Sequence, residues 1–148
     1  MRILFVCLGN ICRSPAAEGV FRQLAAEAGA DVALDSAGTA GWHVGKPPYG
    51  PMIAAAGERG VDLSNLRARQ FRADDFSRFD LIIGMDRANM SDIEMLRPAD
   101  SKTPVRLFLD HAPETGVAEV PDPYYTRDFD EALDLIEAAA RGLLAQIV

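Results

Sequence analysis

Four apolar residues in a row, Ile3-Leu-Phe-Val6, run directly into Cys7-Leu-Gly-Asn-Ile-Cys-Arg-Ser-Pro15, after which Ala17, Val20, Phe21, Leu24 and Ala28 recur at helical spacing. This succession constrains the fold more than any other feature. A short run that is apolar at every position fits a strand buried on both faces rather than one with a wet side. Ser14-Pro15 reads as a cap followed by proline at the first helical position, and Gly29 stops the helix. The residues from Cys7 to Ser14 are therefore a tight loop that leaves the carboxyl end of a buried strand and enters a helix N-terminus.

The alternation continues along the chain. Val32 to Asp35 reads as a second short strand, followed by a Gly- and Pro-rich loop from Gly38 to Pro51 that carries Trp42, His43 and Tyr49. A loop of that length usually serves function. Pro51 to Arg59 reads as a helix stopped by Gly60, and Asp74 to Phe79 as a weaker helical turn. Leu81 to Met85 is a third buried strand, Arg87 to Leu96 a helix halted before Pro98, and Val105 to Leu109 a fourth strand. Pro121-Asp-Pro123 marks a rigid turn. From Asp128 onward, Phe129, Leu133, Ile136, Ala140, Leu143, Leu144 and Ile147 share one helical face, which should cover the sheet. Strands alternating with helices give an α/β fold with a parallel sheet, right-handed crossovers and ligands at the carboxyl ends of the strands. The 148 residues suit a single domain spanning 1–148.

Charge and composition narrow the function. The formal net charge of −7 opposes nucleic acid, so an anionic ligand must be drawn by a local positive site. No stretch approaches the length of a membrane span, and Met1 to Cys7 is too short for the core of a signal peptide, so the expected location is the cytoplasm. Two cysteines cannot build a disulfide scaffold, and with His43 and His111 they make a poor zinc set. Neither a metal nor another cofactor is expected. A reactive thiol is the remaining chemistry.

The loop between strand and helix can turn several backbone N–H groups inward, and the first helical turn adds its unpaired donors and positive dipole end. Such a cradle binds phosphate. Arg13 can return across it and grip two phosphate oxygens with its planar fork. The same donors favour the thiolate of Cys7 over the thiol. Gly9 and Asn10 are types that tolerate the strained backbone of a tight ring, and Ser14 offers a hydroxyl to the sulfur. A thiolate beneath a phosphate monoester suggests in-line displacement through a phosphocysteine, which leaves the departing oxygen in need of a proton. Asp122, between two prolines and beyond the fourth strand, lies on the correct side of the sheet to supply it.

The segment Val6-Cys-Leu-Gly-Asn-Ile-Cys-Arg-Ser-Pro15 resembles the signature of the low-molecular-weight protein tyrosine phosphatases. Asp35-Ser-Ala-Gly38, Gly45-Lys-Pro-Pro48, Ala68-Arg-Gln70, Asp74-Asp-Phe76, Met85-Asp86 and Asp122-Pro-Tyr-Tyr125 are similar to further family segments in the family's order. The resemblance implies a four-stranded parallel sheet with helices on both faces, doubly wound in the flavodoxin-like order 2-1-3-4. It implies Cys7 as nucleophile, Arg13 as clamp and Asp122 as general acid, with Asn10, Ser14 and Ser36 as a supporting hydrogen-bond network. Substrate binding would fall to Leu8, Gly9, Asn10, Ile11, Cys12 and Ser14 in the loop, and to Trp42, Tyr124 and Tyr125 at the entrance. The implied substrate is a phosphotyrosine-containing protein, a tyrosine kinase among the candidates, handled by a monomer or weak dimer. One departure is visible: Leu66 stands where many members carry histidine, so any buried hydrogen bond made there is replaced or absent.

Rival readings have signatures of their own. An arsenate reductase on this scaffold relays oxidation to further cysteines, and none follows Cys12. A protein-arginine phosphatase of this family tends to carry threonine at Ile11 and a less aromatic segment after the aspartate. A non-catalytic phosphoprotein-binding module has no need of both Cys7 and Asp122. Cys12 keeps two readings, a space-filling thiol or the partner of Cys7 in a reversible disulfide. Tyr124 and Tyr125 keep two as well, pocket wall or kinase substrate.

Overall fold

The computed structural model describes all residues from Met1 to Val148. Its centre is a parallel sheet of β1 (Arg2–Cys7), β2 (Ala33–Gly38), β3 (Leu81–Gly84) and β4 (Val105–Leu107) in the order β2-β1-β3-β4. The sheet order and the helices on both faces agree with the expectation from the sequence. Six helices accompany the strands: α1 (Arg13–Glu27), α2 (Gly50–Glu58), α3 (Asp75–Arg78), α4 (Arg87–Glu94), α5 (Pro123–Thr126) and α6 (Phe129–Ile147).

The apolar run of β1 divides between two cores by the period-2 alternation of a strand. Ile3, Phe5 and Cys7 face the larger core, built with α1, α2 and α6, whereas Leu4 and Val6 face a smaller one with Phe76 of α3 and Ile93 of α4. This two-sided burial is why β1 carries no polar residue between Arg2 and Cys7. Phe5 anchors the larger core, its ring centre 5.8 Å from that of Phe21 on α1 and 5.4 Å from that of Phe108. The final helix turns Leu133, Ile136, Ala140 and Leu143 inward, as its spacing predicts, with Phe129, Leu144 and Ile147 partly buried against the same core.

Several boundaries differ from the sequence reading. β2 runs on to Gly38 because its carboxyl end pairs throughout with β1, Cys7 opposite Gly38. Fold-level pairing thus overrides the turn preference of Ser36-Ala-Gly38. β4 stops at Leu107, and the chain turns through a short 3-10 helix, Phe108–His111, that inserts Phe108 and Leu109 into the large core. The Pro121-Asp-Pro123 turn leads into the single helical turn of α5. Ser14 does not cap α1: the helix starts at Arg13 after Cys12, and the Ser14 hydroxyl points elsewhere.

Two features place the site. Gly38 brings β2 against the loop that follows β1, and a Cβ there would come within 2.8 Å of the Leu8 carbonyl and 3.1 Å of the Asn10 nitrogen. The long loop after β2 then fastens the same backbone, Thr39 N donating to Cys7 O, Ala40 N to Leu8 O and Tyr49 N to Ile11 O. No helix is long and apolar enough to cross a membrane.

Candidate active site

Cys7 ends β1, and the chain then curls around its sulfur. Asn10 makes the curl with a left-handed backbone, φ 57, and its own N–H donates to Cys7 Sγ at 3.3 Å. Asparagine is among the few side chains that enter that region readily. Its amide is oriented by Oδ1, which accepts from Arg69 N at 3.0 Å. Nδ2 therefore has two hydrogens to give, and they go to Ser14 Oγ at 2.7 Å and Ser36 Oγ at 3.0 Å. Ser36 passes its own hydrogen to buried Glu18, Oε1 at 2.7 Å, whose second oxygen takes Arg22 at 2.7 Å. The Ser14 hydroxyl, already accepting from Asn10, has the sulfur at 3.0 Å and the Ala37 carbonyl at 3.4 Å as acceptors. The shorter path directs it at the sulfur. Cys7 Sγ thus receives a backbone N–H and an O–H, both aligned by a chain of hydrogen bonds that begins at Glu18.

Arg13, at the start of α1, is almost wholly buried. Nη1 donates to Asp86 Oδ2 at 2.7 Å and to the Val120 carbonyl at 3.0 Å, and Nη2 to Asp122 Oδ2 at 3.3 Å. Burial opposes its charge, but Cys7, Asp86 and Asp122 outweigh burial and hold the guanidinium pKa above its ordinary value. Asp86 is fixed by a capping box at the start of α4, its Oδ1 accepting from Asn89 N while Asn89 Oδ1 accepts from Asp86 N. Asp122 is fixed as the N-cap of α5, Oδ1 accepting from Tyr124 N at 3.0 Å. A single bond, Val120 N to Met85 O, ties the segment before Asp122 to the end of β3.

These groups open onto one pocket of about 280 Å³ lined by Cys7, Leu8, Gly9, Ile11, Cys12, Arg13, Trp42, His43, Asp122, Tyr124 and Tyr125. Cys7, Arg13 and Asp122 converge as the sequence reading expects. Trp42 and Tyr125 stand largely exposed at the mouth, with Tyr124 less so. Asn10 and Ser14 lie behind the sulfur with Ser36, hydrogen-bonded to one another. Both cysteines are free thiols. Burial chiefly, with Cys7 and Asp122 adding to it, pushes the Cys12 thiol up to about 12, so it stays protonated at neutral pH. Leu66 packs its apolar side chain against the large core, and Arg22 meets the free oxygen of Glu18.

Three residues escaped the sequence reading. Asp86, in the Met85-Asp86 segment, holds Arg13, a role that no local pattern signals. Glu18, on the buried face of α1, anchors the network; a carboxylate among Ala17, Val20 and Phe21 was the available signal. His43, in the long loop after β2, is half-buried on the pocket wall, and a Cβ on Gly9 would lie 3.1 Å from its Cδ2.

Residues 2–148 match the family model described as low molecular weight phosphotyrosine protein phosphatase. The chain is 41% identical over 147 residues to the low molecular weight protein-tyrosine-phosphatase YfkJ of Bacillus subtilis, covering 98% of this chain and 94% of that one. It is 43% identical over 153 residues to the low molecular weight protein-tyrosine-phosphatase of Streptomyces coelicolor, covering 99% and 93%. Its fold is similar to the crystal structure of YfkJ, with a TM-score of 0.94 at 40% identity, covering 99% of this chain and 94% of that one. It is also similar to a Drosophila arginine phosphatase, with a TM-score of 0.93 at 28% identity, covering 99% and 97%.

Proposed function

The chain belongs to the low molecular weight phosphotyrosine protein phosphatases, and from that premise we propose that Cys7 is the nucleophile, Arg13 the phosphate clamp and Asp122 the proton carrier of its hydrolysis. In the first step the Cys7 thiolate attacks phosphorus from below, a P–S bond forms, and the P–O bond to the aryl group breaks. Asp122, protonated, gives its hydrogen to the departing phenol oxygen. In the second step water attacks the phosphocysteine, Asp122 takes the water's proton, and the P–S bond breaks to return the thiolate and release inorganic phosphate. Backbone N–H groups of the loop and the Arg13 fork hold the phosphate oxygens through both steps.

Arg13 links binding to proton transfer. A dianionic phosphate competes for Nη2, which otherwise holds Asp122 Oδ2 at 3.3 Å, and leaves that oxygen free to face the departing group. The donors aimed at Cys7 Sγ serve twice, holding the sulfur in place as attacking group and again as leaving group. Asn10, Ser14 and Ser36 support this sulfur, while Leu8, Gly9, Ile11 and Cys12 form the floor and wall. The observation that carries the reading is the meeting of residues 7, 13 and 122 around one pocket.

An aryl ester fits best among phosphate monoesters and amidates. Trp42, Tyr124, Tyr125 and the apolar side chain of Ile11 present faces suited to a flat ring. The similarity to an arginine phosphatase makes phosphoarginine the reading to be tested against it. We read residues 1–148 as one catalytic domain acting in the cytoplasm, as a monomer or weak dimer, on phosphotyrosine proteins, a tyrosine kinase among the candidates.

The test is a trap. Labelled aryl phosphate quenched in acid should leave phosphate on Cys7, Cys7→Ser should bind phosphate without turnover, and Asp122→Ala should lose about 10²–10⁴-fold, most with poor leaving groups. Near-normal turnover by Cys7→Ser would refute the mechanism. A kcat/KM higher for phosphoarginine than for phosphotyrosine peptides would refute the substrate.

A further inference from the structure

Arg127 stands beside the pocket and has no part in the chemistry above. It follows α5 with its backbone in the left-handed region, φ 63, a conformation seldom adopted by residues other than glycine, asparagine and aspartate. Its guanidinium carbon lies 5.4 Å from the ring centre of Tyr49 and 5.5 Å from that of Tyr124, and Nη1 donates to the Tyr49 hydroxyl at 2.8 Å. Two ring faces and a phenol oxygen thus fix the direction of the charge. Tyr124 is the wall of the pocket on this side.

The surroundings supply no counter-ion. No carboxylate lies within ion-pair distance of Arg127, in a chain with 22 acidic residues against 15 basic ones. The nearest acidic residues in sequence are engaged elsewhere: Asp128 Oδ1 accepts from Glu131 N at the start of α6, and Asp130 pairs with Arg59 at 3.1 Å. Arg13, by contrast, is met by both Asp86 and Asp122. The charge of Arg127 reaches the pocket floor, where it draws the Cys12 thiol downward against the larger upward effect of burial. An oriented, exposed and uncompensated cation therefore sits at the rim of a catalytic pocket in a molecule of net charge −7.

We propose that Arg127, with Tyr49 and Tyr124, forms a rim subsite for a carboxylate side chain flanking the phosphotyrosine of a peptide substrate. The proposal rests on the phosphatase reading of the pocket. A fork held between two rings offers its outward N–H edge to a planar carboxylate. Because the molecule as a whole repels acidic peptides, this local cation selects those whose acid lies at the correct distance from the phosphate.

The test compares kcat/KM for a phosphotyrosine peptide with Asp or Glu at one flanking position and for its Asn or Gln counterpart, each position in turn. A small aryl phosphate with no flanking group is measured in parallel. The wild-type chain should prefer the acidic peptide at one position by about three- to fivefold, the scale of a well-placed surface ion pair, and lose the preference at high salt. Arg127→Asn, which suits the left-handed backbone, should bring the ratio to one, and Arg127→Lys should keep part of it. An unchanged ratio in Arg127→Asn, or an equal loss for both peptides, overturns the subsite while wild-type turnover of the aryl phosphate persists. Absence of that turnover overturns the catalytic reading and the subsite together.

Discussion

A hydroxyl group illustrates how the site works at the scale of one residue. Ser14 accepts from Asn10 Nδ2 at 2.7 Å and gives its hydrogen to Cys7 Sγ at 3.0 Å, so it transmits the order of the buried network to the reacting atom. Ser14→Ala removes that donor and leaves one buried amide hydrogen of Asn10 without an acceptor. Hydrogen bonds to charged partners are worth about 1.5–3 kcal/mol, so kcat should fall roughly ten- to hundredfold. Because the sulfur leaves as a thiolate, the loss should show as a burst of phenol followed by a slower steady rate. A variant with full activity and no burst would show that the hydroxyl faces the Ala37 carbonyl instead. The proposed nucleophile and clamp could be read in the sequence because a Cys and an Arg six residues apart in one loop share local geometry. Asp86 and Glu18 could not be assigned, since their partners lie 73 and 18 residues away.

At the scale of elements, the loop depends on how closely β2 approaches it. Leu8, Gly9 and Asn10 backbone atoms all lie within 3.1 Å of the position a Cβ on Gly38 would take, so none can move aside as a side chain could. Gly38→Ala should therefore displace the phosphate loop. Overpacking of this kind costs about 1–3 kcal/mol of stability. The catalytic loss should be larger, roughly 10²-fold, because an ångström of misplacement is enough. Gly57→Ala in the last turn of α2 is the contrast: its Cβ meets nothing within 4 Å, and the exchange should be neutral or stabilising by up to about 0.5 kcal/mol. Denaturant midpoints and kcat/KM on an aryl phosphate separate the two effects. Gly38→Ala with normal activity would mean that the loop is not held by β2. The elements themselves were mostly visible from period and punctuation. β4 and β2 were misjudged at their ends because sheet pairing and the insertion of Phe108, rather than local propensity, decide where they stop.

For the whole molecule, burial of the site has an alkaline consequence. Desolvation first, then the neighbouring Cys7 and Asp122, raises the Cys12 thiol from 9.0 to about 12. The folded state thus holds that proton more tightly than the unfolded chain does. The stability this represents is complete below about pH 9 and is lost as pH rises through the interval up to about 12, by roughly 1.4 kcal/mol per pH unit at most. Cys12→Ala removes the group, so the stability of the wild type relative to this variant should shrink between about pH 9 and 12 and stay constant between pH 6 and 8. Urea unfolding at several pH values tests this, and parallel curves for the two proteins across the alkaline range would contradict it.

The strand buried on both faces, the loop and helix after it, the last amphipathic helix and the proposed roles of Cys7, Arg13 and Asp122 were legible in the sequence alone. These follow from periodicity, turn chemistry and reactive groups brought together by local geometry or by a recognisable pattern. That Glu18 ends the network behind the sulfur, that Asp86 holds Arg13, and that His43 and Arg127 border the pocket emerges only from the folded chain. The physical reason is distance along the chain. A hydrogen bond or ring contact between residues tens of positions apart leaves no trace in local pattern, and it exists only once β1, β2 and β3 are paired and their carboxyl ends share one side of the sheet.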